Sequence, residues 1–369
     1  MLYPTRVVII MWALFGTTCA SDNTPIGTCE NTDVALLPIA GSADAPFTEC
    51  TTSATITDNI CGTLETDFTD HNENNAWSTC ASTSILGNTS SSNARVAAYE
   101  AMGAKLWNKN STVTVNDFLE ARVILSEDQG LLSRLVRRYD PRFTPPESAS
   151  PDNRFCSENA NALTSHPDYC VGPAKLLPII NSAMCQGSLG YEIEINTERV
   201  HAALQWFLAV STIKESTSCI TTAADCDSSF AYYTAGTARE LPAGLAHEIN
   251  AISPQAHHRV YDAYLALGCW RKEAIENGQP LATCQLDNAL VYGVSQLVKD
   301  RFTKMKTATN DILAAHHAWL NIIVPLLDRE TRERNATHAN TLLTEIAKPS
   351  ADVNEDAAIA AIDAVYVCP

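Results

Sequence analysis

The sequence predicts a mostly α chain of two duplicated helical-bundle lobes crosslinked by disulfides. Three observations carry this. Apolar residues recur at helical spacing in one segment after another, while strand-like alternation is confined to Tyr191–Ile195. Short segments occur twice in the same order: Leu36–Ile39 and Leu176–Ile179 both read LLPI, Ala98–Gly103 (AYEAMG) matches Ala263–Gly268 (AYLALG), and Ser133–Arg137 matches Ser295–Lys299. Thirteen cysteines are spread along the 369 residues.

Taken in order, the chain opens on Arg6 and an apolar run, Val7–Phe15, closed by small residues up to Ala20. This reads as a secretory signal over residues 1–20, too short to span a bilayer. Removing it takes Cys19. Twelve cysteines remain, enough for six bridges in an oxidising compartment: Cys29, Cys50, Cys61, Cys80, Cys156, Cys170, Cys185, Cys219, Cys226, Cys269, Cys284 and Cys368. Their spacing leaves the pairing open. The first lobe covers 21–172 and the second 173–369.

Residues 21–70 read as irregular chain with short helices. Asn93–Lys105 has helical composition, with Val96, Tyr99, Ala101 and Met102 on one face. Thr114-Val-Asn-Asp117 has capping-box spacing and predicts a helix through Ile124. Leu131–Tyr139 resumes the helical pattern. Pro141, Pro145, Pro146 and Pro151 break it before the second lobe. Helices are then expected at Ala174–Met184, Glu198–Lys214, His257–Arg271, Asn288–Phe302, Asp311–Leu327 and Glu355–Val365. Val200, Ala203, Leu204, Phe207 and Val210 line one face, so Glu198–Lys214 reads as an amphipathic helix.

A net charge of −17 disfavours nucleic acid and anionic membranes as partners. No later stretch is apolar enough to span a membrane, so no insertion is expected once the signal is gone. Sequons at Asn88, Asn110 and Asn335 suit a secreted or periplasmic glycoprotein. No Gly-x-Ser-x-Gly elbow, His-Glu-x-x-His, Walker loop or dinucleotide glycine pattern is present, and a non-enzymatic role is expected.

Candidate chemistry gathers in Asp227–Gly236, where Tyr232 and Tyr233 adjoin a carboxylate, with Glu240 and His247 soon after. Phenolate, carboxylate and imidazole form a hard ligand set suited to Fe(III). Core aromatics are the competing reading. Glu198 and His201 lie one helical turn apart, either as ligands or as a surface ion pair. Asp70 and His71, in the first lobe, read as ligands or as polar loop. Tyr99 and Tyr264, at matching places in the repeats, read as structural.

The runs Phe230–Gly236 and Ala104–Arg122 (AKLWNKNSTVTVNDFLEAR), with the duplicated helices and the signal, resemble the algal iron-assimilating, high-CO2-inducible periplasmic proteins related to phytotransferrins. That resemblance implies an iron-binding protein aiding iron assimilation, Fe(III) held with carbonate as partner anion, and a cell-surface uptake system as partner. The family also looks distantly like imelysin-type proteins, but their His-x-x-Glu motif is missing here. The alternatives from other classes are a structural or adhesive cell-wall glycoprotein and a secreted hydrolase.

Overall fold

The computed structural model describes residues 90–127, 130–145, 155–219, 221–237, 239–272 and 278–366. Among them the regular structure is helical, with no strand. The segment 1–89 lies outside, and with it the signal, the first LLPI copy, Asp70, His71, Asn88 and the first four mature cysteines.

Helix α1 (Ser90–Lys105) is followed by α2 (Val115–Ser126). The Asp117 carboxylate accepts the Thr114 backbone N–H at 2.7 Å, so the expected box closes with Asp in place of Glu. The stretch expected to be helical through Tyr139 shrinks to α3 (Leu132–Leu135), followed by turns. Short helices α4 (Phe155–Glu158) and α5 (Ala160–Ser165) come next, the second capped by Asn159. One disulfide, Cys156–Cys170, clips this region, as the cysteine placement suggested.

A π-turn at Gly172–Leu176 leads into α6 (Leu177–Ser188). Tyr191–Ile195 is not a strand: Ile193 opens helix α7 (Ile193–Cys219). Every residue of α7 from Val200 to Ser216 is buried. It is therefore not the amphipathic surface helix expected from Glu198–Lys214 but the central rod of the fold. The reason is compositional: Trp206, Leu208, Ala209 and Ile213 add apolar surface on the faces that the stripe leaves out. Around it pack α6, α8 (Ala223–Thr234) and α12 (Asn310–Ile346). A second disulfide, Cys219–Cys226, ties the end of α7 to α8.

Beyond these lie α9 (Leu245–Ile252), α10 (Pro254–Lys272), α11 (Gly278–Met305) and α13 (Glu355–Val365), the last with the bounds its composition predicts. Helix α12 is broken at Asn335, whose extended backbone (φ −160°) and side chain cap a second helical run by accepting the N–H groups of Thr337 and His338. Asn110 and Asn335, two of the sequon asparagines, are both exposed. One continuous apolar core runs from Val96 to Tyr366, so α1 of the expected first lobe packs directly on α8 of the second.

Candidate functional site

The polar constellation with the most converging groups is built on α7. Glu198 and His201 are adjacent on its surface, one turn apart, and the imidazole Nδ1 lies 3.3 Å from Glu198 Oε2. The ring's other nitrogen, Nε2, faces the carboxylate of Glu248 at 3.1 and 3.2 Å. Glu248 comes from α9. The same carboxylate accepts the phenol of Tyr99, from α1, and the side-chain amide of Gln205, the next turn of α7.

Two local devices put Glu248 there. Gly244 opens α9 with φ +60°, and a Cβ on it would stand 2.6 Å from Val96 Cγ1 of α1. Only glycine allows both the backbone turn and the close approach. Its N–H donates to Glu100, the residue after Tyr99, so α9 starts against α1. With that start, Leu245 and Ile249 point into the core and Glu248 shares their side of the helix, while His247 points out and is exposed.

Further groups hold the cluster. Arg301, from α11, pairs with Glu198 Oε1 at 2.9 Å and donates to His316 Nδ1 at 2.9 Å. The Arg301 guanidinium lies over the Trp319 ring at 4.8 Å. Trp319 donates to Gln205 Oε1 at 2.7 Å, which fixes the orientation of that amide. Trp107 stacks on His201, ring centroids 4.6 Å apart and planes within 6°.

The electrostatics follow from this geometry. Burial alone would lower the His201 pKa, yet the Glu248 and Glu198 charges raise it. Burial would raise Glu198, and Arg301 with His201 overrides it and holds the carboxylate well below its usual range. Glu248 is lowered in the same way, against its burial, by His201 and Tyr99. Tyr99 is pushed far up by burial and by the Glu248 charge. With a carboxylate facing each ring nitrogen, the geometry favours the imidazolium form of His201, and a neutral phenol donates to one of the two carboxylates.

Of the residues expected to bind metal, the structure brings Glu198 and His201 together. It turns the other described ones to different surroundings. The Tyr232 phenol lies between Arg95 (3.2 Å) and Arg138 (3.3 Å). The Tyr233 phenol donates to His257 Nδ1 at 3.1 Å, and His257 Nε2 donates to the Arg239 carbonyl at 2.9 Å. Burial pushes the His257 pKa down to about 4, so this is a neutral, satisfied core pair. Glu240 and His247 are exposed. Asp70 and His71 lie outside the described residues. The repeat tyrosines also part company, since Tyr264 shares a hydrogen bond with Ser229 while Tyr99 meets Glu248.

Among the described residues, no group of three or more His, Cys, Asp or Glu side chains is arranged to hold a metal ion. The third group facing His201 and Glu248 is a phenol. No helix among them is long and apolar enough to cross a membrane. The chain matches no protein-family model, no curated protein and no solved structure.

Proposed function

We propose that the chain binds Fe(III) as cargo at Tyr99, His201 and Glu248, as a secreted or periplasmic protein that aids iron assimilation. One observation carries this reading: the Tyr99 phenol and the Nε2 of His201 both meet the Glu248 carboxylate, while the opposite ring nitrogen is engaged by Glu198. A metal-ligating histidine characteristically gives its other nitrogen to a carboxylate, which fixes the ring and raises its basicity. Arg301 holds that carboxylate in turn. Phenolate, carboxylate and imidazole are the hard donors that suit ferric iron.

In the metal-free protein two protons stand between these donors, one on Tyr99 Oη and one on His201 Nε2. Iron binding therefore releases protons, as metal binding to protonated ligands must. Burial and Glu248 keep Tyr99 protonated until a cation arrives, so the site is selective for an ion strong enough to displace a phenol proton. The resemblance to algal iron-assimilating proteins supports the same cargo, and the disulfides support an oxidising compartment. An ancestral duplication accounts for the paired Ala-Tyr-x-Ala segments, with the site retained at the first tyrosine alone.

Titration with ferric citrate, with and without bicarbonate, tests this. A tyrosinate-to-iron charge-transfer band should appear, be lost in Tyr99→Phe, and survive in Tyr232→Phe and Tyr233→Phe. Dependence of the band on bicarbonate tests the carbonate partner. No band and no iron retained through desalting leaves the structural-glycoprotein reading in its place.

A further inference from the structure

A second constellation lies on the same central helix, away from the iron ligands. His201 and Glu215 are both on α7, fourteen residues apart, or about 21 Å of helical rise. Near Glu215 gather the arginines of α1, of α3 and of the turn after α3. Arg95 is 1% exposed and Arg138 4% exposed. Both donate to a single acceptor, the Tyr232 phenol oxygen, at 3.2 and 3.3 Å. Arg134 and Arg137 are half-buried beside them, close enough that their charges bear on Arg95 and on each other.

The donors outnumber what is present to accept them. Glu215 takes Arg138 at 3.1 Å and Lys214 at 2.8 Å. Ser91 takes one further bond from Arg95, at 3.2 Å. Among the described residues, a second carboxylate near the cluster is Asp225, half-buried on α8. Among the described residues, five cations thus face two carboxylates, in a chain whose full sequence carries a net charge of −17. Five buried guanidinium nitrogens have no hydrogen-bond partner among the described residues: Nε and Nη2 of Arg95, and Nε of Arg134, Arg137 and Arg138.

Unpaired buried guanidinium donors are costly, and like charges brought together are more so. A planar guanidinium presents its Nε and one Nη as a fork, and Arg95 has that whole fork unpaired. The fork matches two oxygens of a carboxylate or phosphoryl group. The charge imbalance favours an anion carrying more than one negative charge. We propose that this cluster binds a multivalent oxyanion of the phosphate class, either free phosphate or the phosphoryl end of a monoester, through Arg95, Arg134, Arg137 and Arg138. Tyr232 sits between two of these arginines as the positioning residue that spaces them. Its place in the cluster explains a tyrosine that the iron site does not use.

Calorimetric titration of the whole protein with inorganic phosphate, glycerol phosphate, sulfate and chloride tests the proposal, with melting temperature followed in parallel. Saturable binding of phosphate or of the ester, with a raised melting temperature and no comparable effect of chloride, is the expected result. Stronger binding of the ester assigns the site to an esterified ligand, and stronger binding of phosphate to the free ion. Arg137→Gln, at a half-buried position, should weaken binding about tenfold, and Arg137→Lys by less, with thermal unfolding confirming that each variant folds. Tyr232→Phe should shift affinity while leaving the tyrosinate–iron band unchanged. No saturable binding of either phosphate compound overturns the proposal. So does affinity that is the same in Arg137→Gln and Arg134→Gln as in the native protein. Equal responses to chloride and phosphate would reduce the cluster to nonspecific charge and overturn it as well.

Discussion

Gly244→Ala is the sharpest perturbation of the scaffold that carries Glu248. Two separate effects add. The backbone at 244 has φ +60° and ψ −138°, a conformation that an L side chain enters at a cost of about 1–3 kcal/mol. The new Cβ would also stand 2.6 Å from Val96 Cγ1, and Val96 is fully buried. Overpacking of that kind costs about 1–3 kcal/mol. The expected destabilisation is therefore about 2–6 kcal/mol, read by urea denaturation of the metal-free protein. Val96→Ala separates the two effects. Alone it loses buried methyl groups and destabilises by about 1.5 kcal/mol, at roughly 0.8 kcal/mol per carbon. Combined with Gly244→Ala it removes the overlap and leaves the backbone strain. The double variant should then be more stable than the sum of the singles by about 1–3 kcal/mol. Because Gly244 fixes the start of α9 against α1, Gly244→Ala should also weaken iron binding, with Glu248 displaced from Tyr99. A Gly244→Ala protein within about 0.5 kcal/mol of the native one, or strict additivity with Val96→Ala, would refute the reasoning.

Other expectations follow from the same physical grounds. Asp287 lies beside Arg142 with Glu330 and Asp140 near, and burial first, then those carboxylates, push its pKa up to about 8 against the pull of Arg142. A raised acid contributes stability fully below its unfolded pKa and loses it as pH rises through the folded one. Stability should thus decline between about pH 4 and pH 8, and Asp287→Asn should flatten that decline and raise the denaturation midpoint at pH 8. Glu198→Gln leaves Arg301 and His201 without their shared counter-charge. It should destabilise the metal-free protein by about 2–4 kcal/mol, measured by thermal unfolding, and a change below 1 kcal/mol would mean the ion pair is solvated. The Cys156–Cys170 bridge spans 14 residues, so replacing both cysteines by serine should cost about 3 kcal/mol from loop entropy, seen as a lower urea midpoint. Expression through a secretory pathway should load glycans on exposed Asn110 and Asn335, and each Asn→Gln change should remove one glycan's mass by mass spectrometry.

Much of the helical fold is legible in the sequence, and the reasons are local. The Thr114–Asp117 box, the Ala-rich run Glu355–Val365 and the disulfide loop at Cys219 and Cys226 are each set by neighbours in the chain. What escapes is tertiary. The stripe of Val200, Ala203, Leu204, Phe207 and Val210 is real, but the apolar residues between its members are what allow α7 to be enclosed on every side. Leu131–Tyr139 has helical periodicity, yet the helix stops at Leu135 and Arg138 beyond it turns to Tyr232 and Glu215.

The site divides in the same way. Glu198 and His201 are found by spacing, because one helix carries both. Tyr99 and Glu248 are contributed by other helices, and nothing local announces their meeting. A partial signal did exist at Glu248. A helix beginning after Gly244 puts Leu245, Glu248 and Ile249 on one side, which selects Glu248 over its exposed neighbour His247. Tyr232 and Tyr233 attract attention as a pair, but consecutive residues on a helix point about 100° apart, so they serve an arginine cluster and a histidine respectively.

The enclosure of α7 also governs when the protein can fold during its synthesis. Its partners α6 and α8 flank it in the chain, but α12, which covers another side, ends at Ile346. At synthesis rates of about 5–20 residues per second, the α7 sequence waits roughly 6–25 s before that cover exists. Throughout that interval a long, largely apolar helix stands without its lid on the ribosome. A chain cut short before α12 should accordingly be degraded rather than accumulate, whatever the state of its polar cluster on α7.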